Sequence, residues 1–218
     1  MKPAILIVVG CLIASFLAMA KAPESVAPST EDYLTELQKH LESVKTVQAD
    51  FEQEKKLAVF NRTMMIRGEM ALDRPKRMMW HVREPVRYSI LMEGNTVRQW
   101  DEDTNRVQTL HVEDTPTLKV VFSQFRAWFL GDYHAIAQAY DVVIVDREPP
   151  CLRFSPKPDS AMAEMVKQVQ MTMSKNRLSI ETIAIEEEGG DKTTIRFLNT
   201  RLNQPIQDEV WEIPPHGR

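Results

Sequence analysis

The stretch Ile66-Arg67-Gly68-Glu69-Met70-Ala71-Leu72-Asp73-Arg74-Pro75, followed by Met78-Met79-Trp80-His81-Val82 and Tyr88-Ser89-Ile90-Leu91-Met92, decides the fold class. Ile66, Gly68, Met70 and Leu72 share one parity, as do Met78, Trp80 and Val82, and then Tyr88, Ile90 and Met92. A period of two marks a strand with one face on a core. Glu93-Gly94-Asn95 punctuates a hairpin, and Asp101 to Asn105 is a second polar turn between Val97–Trp100 and Arg106–Val112. Upstream, Val47, Ala49 and Phe51 alternate with polar residues. Downstream the pattern resumes at Val142–Val145 and Leu152–Phe154, then at Val169, Met171 and Met173, and at Ile183 and Ile185. Glu188-Gly189-Gly190-Asp191 turns the chain into Ile195 and Phe197, and Trp211-Glu212-Ile213 reads as the end of a last strand. Short strands at this spacing predict an antiparallel meander with a single apolar face.

Helical periodicity interrupts the strands twice. Leu34, Leu37, Leu41 and Val44 form one narrow stripe, with Ser29 or Thr30 as cap and Glu31 and Asp32 in the first turn. Thr115-Pro116 opens a second helix, carrying Leu118, Val121, Phe122, Phe125, Trp128 and Phe129 on one face before the stop at Gly131. Weaker helical signals cover Tyr133 to Tyr140 and Asp159 to Met165. A one-sided sheet long enough to curl needs its apolar face covered, and the helices over 31–44 and 117–130 are the available covers. Periodicity is equally compatible with a permanent plug and with a movable lid over an apolar pocket.

Composition narrows the class. With 43% apolar and 27% charged residues the chain is of ordinary globular balance, not of disordered type. The net charge of −4 argues against nucleic acid as a partner, and seven glycines offer little for a phosphate cradle. Met1-Lys2, the apolar run from Ala4 to Ala18 and Ala18-Met19-Ala20 read as a signal peptide cleaved after Ala20, since ~15 apolar residues fall short of the ~20 a bilayer span needs. The expected layout is a signal peptide over 1–20, a Pro/Ser/Ala linker over 21–30 and one domain over 31–218. Val8-Val9-Gly10-Cys11 is a rival lipobox that would anchor the chain through Cys11, but the apolar run continues well past it. Cys151 is then the lone mature cysteine, expected as a buried inert thiol.

Reaction chemistry is sparse. No G-x-S-x-G elbow occurs, and none of His40, His81, His111, His134 and His216 lies three to five residues from another His or a Cys. Glu186-Glu187-Glu188 reads as solvated charge beside a turn. We therefore expect neither metal nor cofactor nor catalysis. Methionine is the compositional signal: ten of twelve remain after the signal peptide, several in register with Trp80, Leu72 and Ile90. Met fills an ordinary core, and it equally suits a surface that must accept flexible chains.

The order Gly68-Glu69-Met70-Ala71-Leu72-Asp73-Arg74-Pro75, Trp80, Pro85 and Glu93-Gly94-Asn95 resembles the LolA family of periplasmic lipoprotein carriers. Ala49-Asp50-Phe51-Glu52-Gln53 matches that family's F-x-Q strand, and Trp211-Glu212-Ile213-Pro214-Pro215 its aromatic-x-apolar-Pro-Pro ending. The resemblance implies an α+β, mainly β fold: an unclosed antiparallel barrel with helices lidding an apolar cavity. It implies a monomeric periplasmic carrier of acyl chains, serving an inner-membrane release complex and an outer-membrane acceptor. The lining would come from Met70, Leu72, Met78, Trp80, Ile90 and Met92 on strands and from Leu118, Phe122 and Phe125 on the second helix. Arg74 would latch the lid, its five fixed donors satisfying helix-end carbonyls; the plainer alternative is a strand-end ion pair with Asp73 or Glu84. One departure stands out: the family commonly has Phe near the cavity mouth where this chain has Met78, and Lys76-Arg77 is unusually basic, so the cargo could be another lipid or hydrophobic intermediate. An anchored receptor of the same fold and a lipid-acting enzyme are the other readings.

Overall fold

The computed structural model describes residues 29–213 except 61, 115–118, 120–122, 124–126 and 130. Helix α1 spans Thr30–Leu41. Six strands follow: β1 Thr46–Leu57, β2 Arg62–Asp73, β3 Arg77–Glu84, β4 Tyr88–Glu93, β5 Thr96–Asp101 and β6 Arg106–His111. After a crossing that contains helix α2, Tyr133–Ala139, come β7 Tyr140–Arg147, β8 Pro150–Pro156, β9 Val166–Met173, β10 Ile180–Glu187 and β11 Lys192–Leu202. All eleven strands form one antiparallel sheet in the order β6-β5-β4-β3-β2-β1-β11-β10-β9-β8-β7.

That order is two meanders joined by the β1–β11 pair. The sheet stays unclosed, because β6 and β7 are its edges. Phe51 on β1, Trp80 on β3, Phe154 on β8 and Phe197 on β11 nevertheless share one buried cluster, so the sheet curls around a common interior. A bulge in the central pair contributes to the curl. Gln48 faces Arg201 and Asp50 faces Leu198, leaving two residues of β11 opposite Ala49. Asn199 takes the left-handed conformation (φ 52°) there, and its amide donates to Asp50 Oδ2 at 2.7 Å. Such a bulge bends the strand and increases local twist. Gly68 is fixed by contact: a Cβ would lie 2.0 Å from the His81 carbonyl oxygen and 2.6 Å from the Phe51 ring.

Ser29 caps α1 in a capping box. Its hydroxyl accepts from the Asp32 N–H at 3.1 Å, and the Asp32 carboxylate accepts in return from the Ser29 N–H at 3.3 Å. The helix buries Tyr33, Leu34, Leu37 and Leu41. It ends at Leu41, one turn short of the predicted 44. Asn203 captures the following backbone, accepting from the Lys45 N–H at 2.7 Å and donating to the Ser43 carbonyl at 3.1 Å. Val44 remains buried from the connecting loop.

Three other expectations are corrected. Residues 159–165 are successive turns and not a helix; Ser160, Ala163 and Met165 each donate three residues back, and the pattern does not propagate. Trp211 ends a 3₁₀ turn, Asp208–Trp211, and not a strand. The sheet also has more than one apolar face. Ala71, Met79 and Leu91 point outward and are buried beneath Trp211, with Ile206, Val210 and Ile213 packed alongside. Cys151 is buried and accepts from the Thr172 hydroxyl at 3.6 Å.

Candidate functional site

Residues 112–139 link β6 to β7, the two edge strands, and the site lies where the described residues 127–139 of this link meet α1. Of the predicted second helix, residues 119, 123 and 127–129 are described and are helical. Leu118, Phe122 and Phe125 lie outside the described residues. The helix terminates as expected at Gly131, which adopts φ 75°. The Asp132 N–H donates back to the Ala127 carbonyl at 2.8 Å, the six-to-one bond of a Schellman ending. Asp132 then caps α2, its Oδ1 accepting from the Ala135 N–H at 3.0 Å. Gly131 also has a packing role, because a Cβ there would stand 2.7 Å from Leu41 Cδ1. The two helical covers meet at that contact.

Arg74, at the β2–β3 turn, ties them together. Its Nη1 donates to the carbonyl of Leu41, the last residue of α1, at 2.9 Å. Its Nη2 donates to the Phe129 carbonyl at 2.6 Å. Both acceptors belong to helix ends, where carbonyls lack intrahelical donors and carry partial negative charge. The Arg74 backbone is anchored in turn, donating to the Lys45 carbonyl at 2.9 Å. Asp73 and Glu84, the alternative partners, are engaged with Arg77 at 3.7 Å and Arg67 at 3.3 Å. Burial disfavours the charge on Arg74 and lowers its pKa.

Beneath the guanidinium, aromatic rings fill the interior. Phe129 meets Phe197 edge-on at 6.0 Å, and Trp128 stacks on Phe154 at 5.6 Å. Phe51 stacks on Trp80 at 4.0 Å. Arg74, Leu41, Met70, Leu72, Tyr133 and Met173 are among the residues lining a cavity of about 30 Å³. At ~10–15 Å³ per water that is room for two or three molecules among the described residues.

The predicted lining divides accordingly. Met70 and Leu72 line the cavity. Met78 and Trp80 are buried in the same core but do not border the cavity; Met78 sits between Leu72 and Met92 in the sheet. Ile90 and Met92 are half-buried and also pack against Val97 and Val112. Sequence reasoning missed Tyr133 and Met173 as wall residues. Tyr133 directly follows the Gly131-Asp132 stop-and-cap pair, which is the local signal that α2 begins there.

Known proteins agree with this architecture. The family described as outer membrane lipoprotein carrier protein LolA matches residues 42–214. An outer-membrane lipoprotein carrier protein of Chromohalobacter salexigens is 27% identical over 179 residues, covering 80% of each chain. One from Pseudoalteromonas translucida is 21% identical over 218 residues, covering 98% of this chain and 92% of its own. A crystal structure of an uncharacterized conserved protein from Thermus thermophilus superposes with a TM-score of 0.55 at 8% identity, covering 84% of this chain and 96% of its own, a likeness of fold alone. With a curled, unclosed sheet, helical covers meeting at Arg74 and a family match over most of its length, the chain belongs to the LolA family of outer membrane lipoprotein carrier proteins.

Proposed function

We propose that this protein is a periplasmic carrier that takes acyl chains, in the first place those of a lipoprotein anchor, into its apolar interior and moves them from the inner toward the outer membrane without covalent chemistry. The observation that carries the reading is Arg74 bridging the Leu41 and Phe129 carbonyls over an aromatic interior. Such a bridge is a latch: it is polar, reversible and placed where two covers meet. Burying each CH₂ contributes ~0.8 kcal/mol, so one long chain supplies on the order of 10 kcal/mol before ordering costs. Displacing Trp128 and Phe129 opposes uptake, and a few kcal/mol of closure energy makes release possible. The carrier would receive cargo from an inner-membrane release complex and hand it to an outer-membrane acceptor. Met78 in place of an aromatic leaves a glycolipid or another hydrophobic compound as the second cargo class.

Protein purified from its own periplasm tests this by native mass spectrometry. The reading predicts a mature chain that begins at Lys21 and carries co-purified acyl lipid. A chain acylated at Cys11 would instead indicate the anchored receptor, and turnover of added lipid would indicate an enzyme.

A further inference from the structure

Tyr133 is an odd choice for its position. It has no exposed surface, and its hydroxyl has only two sulfur acceptors among the described residues, Met171 Sδ and Met173 Sδ, each at 3.7 Å. Thioethers are weak acceptors, and burying a hydroxyl without a strong partner is costly. Phenylalanine would fill the same space without that cost. Tyr133 also lines the central cavity together with Arg74. Arg74 has an unsatisfied donor of its own, because its buried Nε has no hydrogen-bond partner among the described residues. One largely apolar cavity thus holds two under-used donors on its wall, the Tyr133 hydroxyl and Arg74 Nε; its other polar wall side chains are the hydroxyls of Ser179 and Thr200.

We propose that Tyr133 and Arg74 together form a subsite for the carbonyl oxygen at the head of an acyl chain. The inference rests on the carrier reading above and adds the part of the cargo that is recognised: the acyl carbonyl, beyond its hydrocarbon. A carbonyl accepts and does not donate, so it complements two donors. It also explains how lid and cargo exchange. When the covers lift, Arg74 gives up the Leu41 and Phe129 carbonyls, and the cargo carbonyl replaces part of what is lost. The same oxygen occurs in an ester or amide and in a free fatty acid, and the two sources are separable by experiment.

The test is competition against a fluorescent acyl probe with four C12 ligands: methyl laurate, laurate, dodecyl methyl ether and dodecane. The subsite predicts that methyl laurate binds about tenfold more tightly than the ether, equivalent to about 1.4 kcal/mol. Tyr133→Phe should lower the ester's affinity toward that of the ether, Arg74 remaining as the second donor, and leave the ether and dodecane unchanged, which also shows that the fold and hollow are intact. Laurate binding more tightly than the ester, with the same loss in Tyr133→Phe, would assign the subsite to free fatty acids. Equal binding of ester and ether by the wild type, or equal losses for both in the variant, overturns the subsite alone. Failure of all four ligands to bind overturns the carrier reading with it.

Discussion

The β2–β4 strands are covered on both faces, and the two covers are built differently. Inside, Met70, Leu72, Met78 and Trp80 lie in the core beneath the helical covers. Outside, one residue out of phase, Ala71, Met79 and Leu91 lie beneath the segment that ends in Trp211. Each cover has its arginine. Arg74 reaches inward to two backbone carbonyls, while Arg77, three residues on, places its guanidinium 4.3 Å over the Trp211 ring. The inner cover is hydrogen-bonded at its joint and borders a cavity; the outer one is packed ring against strand, and none of its residues lines that cavity. The proposed carrier function requires the inner cover to open and leaves the outer one in place, and two hydrogen bonds at a joint are undone more readily than continuous apolar packing.

Breaking the outer cover should have the largest effect on the fold. Trp211→Ala is expected to destabilise the protein by roughly 3–5 kcal/mol in urea unfolding, as for other buried tryptophans, while lipid affinity per folded molecule stays at the wild-type value. Loss of affinity would place Trp211 in the carrier's working parts and erase the contrast. Arg74→Leu addresses the inner cover. Removing two charge-assisted bonds to part-buried carbonyls should weaken closure by about 2 kcal/mol. The loss should appear as faster amide exchange over residues 127–133 and as slower release of cargo to an acceptor. Release at the wild-type rate would count against the latch.

Gly131→Ala strikes the contact between the two inner covers. The left-handed conformation costs an alanine about 1–2 kcal/mol, and its Cβ would crowd Leu41. A loss of unfolding free energy of that size in denaturant titration is expected, smaller than that of Trp211→Ala. The smallest effect is a pH dependence on the outer side. His81, hydrogen-bonded at 2.7 Å to the fully buried Ser89, has its pKa lowered first by desolvation and then by Arg87. The unfolded chain therefore binds more protons than the folded one just below pH 6.5, and stability should rise with pH through that window. His81→Gln should flatten this slope; an unchanged slope would remove His81 from the account.

Much of this arrangement is legible in the sequence, for local reasons. Strand parity placed Met70, Leu72, Met78 and Trp80 inside, because alternation is fixed by the backbone pleat. The Ser29-Thr30 pair and Gly131 announced their helix ends, Ser29 being the cap of the two, since caps are local hydrogen-bond problems. The outer cover was illegible because Ala71, Met79 and Leu91 acquire their partner from residues more than a hundred positions away, and parity alone assigns them to solvent. Tyr133 was missed for a related reason: its place beside Arg74 and Met173 arises only when α2, the β2–β3 turn and β9 come together in the folded chain. Arg74 is the intermediate case. A latch is what the resemblance implies for it, whereas the two carbonyls it bonds come together only when the α1 terminus and residue 129 meet in space.

The central claim is that cargo enters by displacing the inner cover and leaves the outer one in place. Fluorine NMR of protein labelled with 5-fluorotryptophan during titration with an acyl lipid tests it most directly, because Trp80 and Trp128 belong to the inner core and Trp211 to the outer cluster. The account predicts that the Trp128 and Trp80 resonances move or broaden while Trp211 stays fixed. Saturating lipid that leaves Trp128 and Trp80 unmoved, or that shifts Trp211 instead, would contradict it.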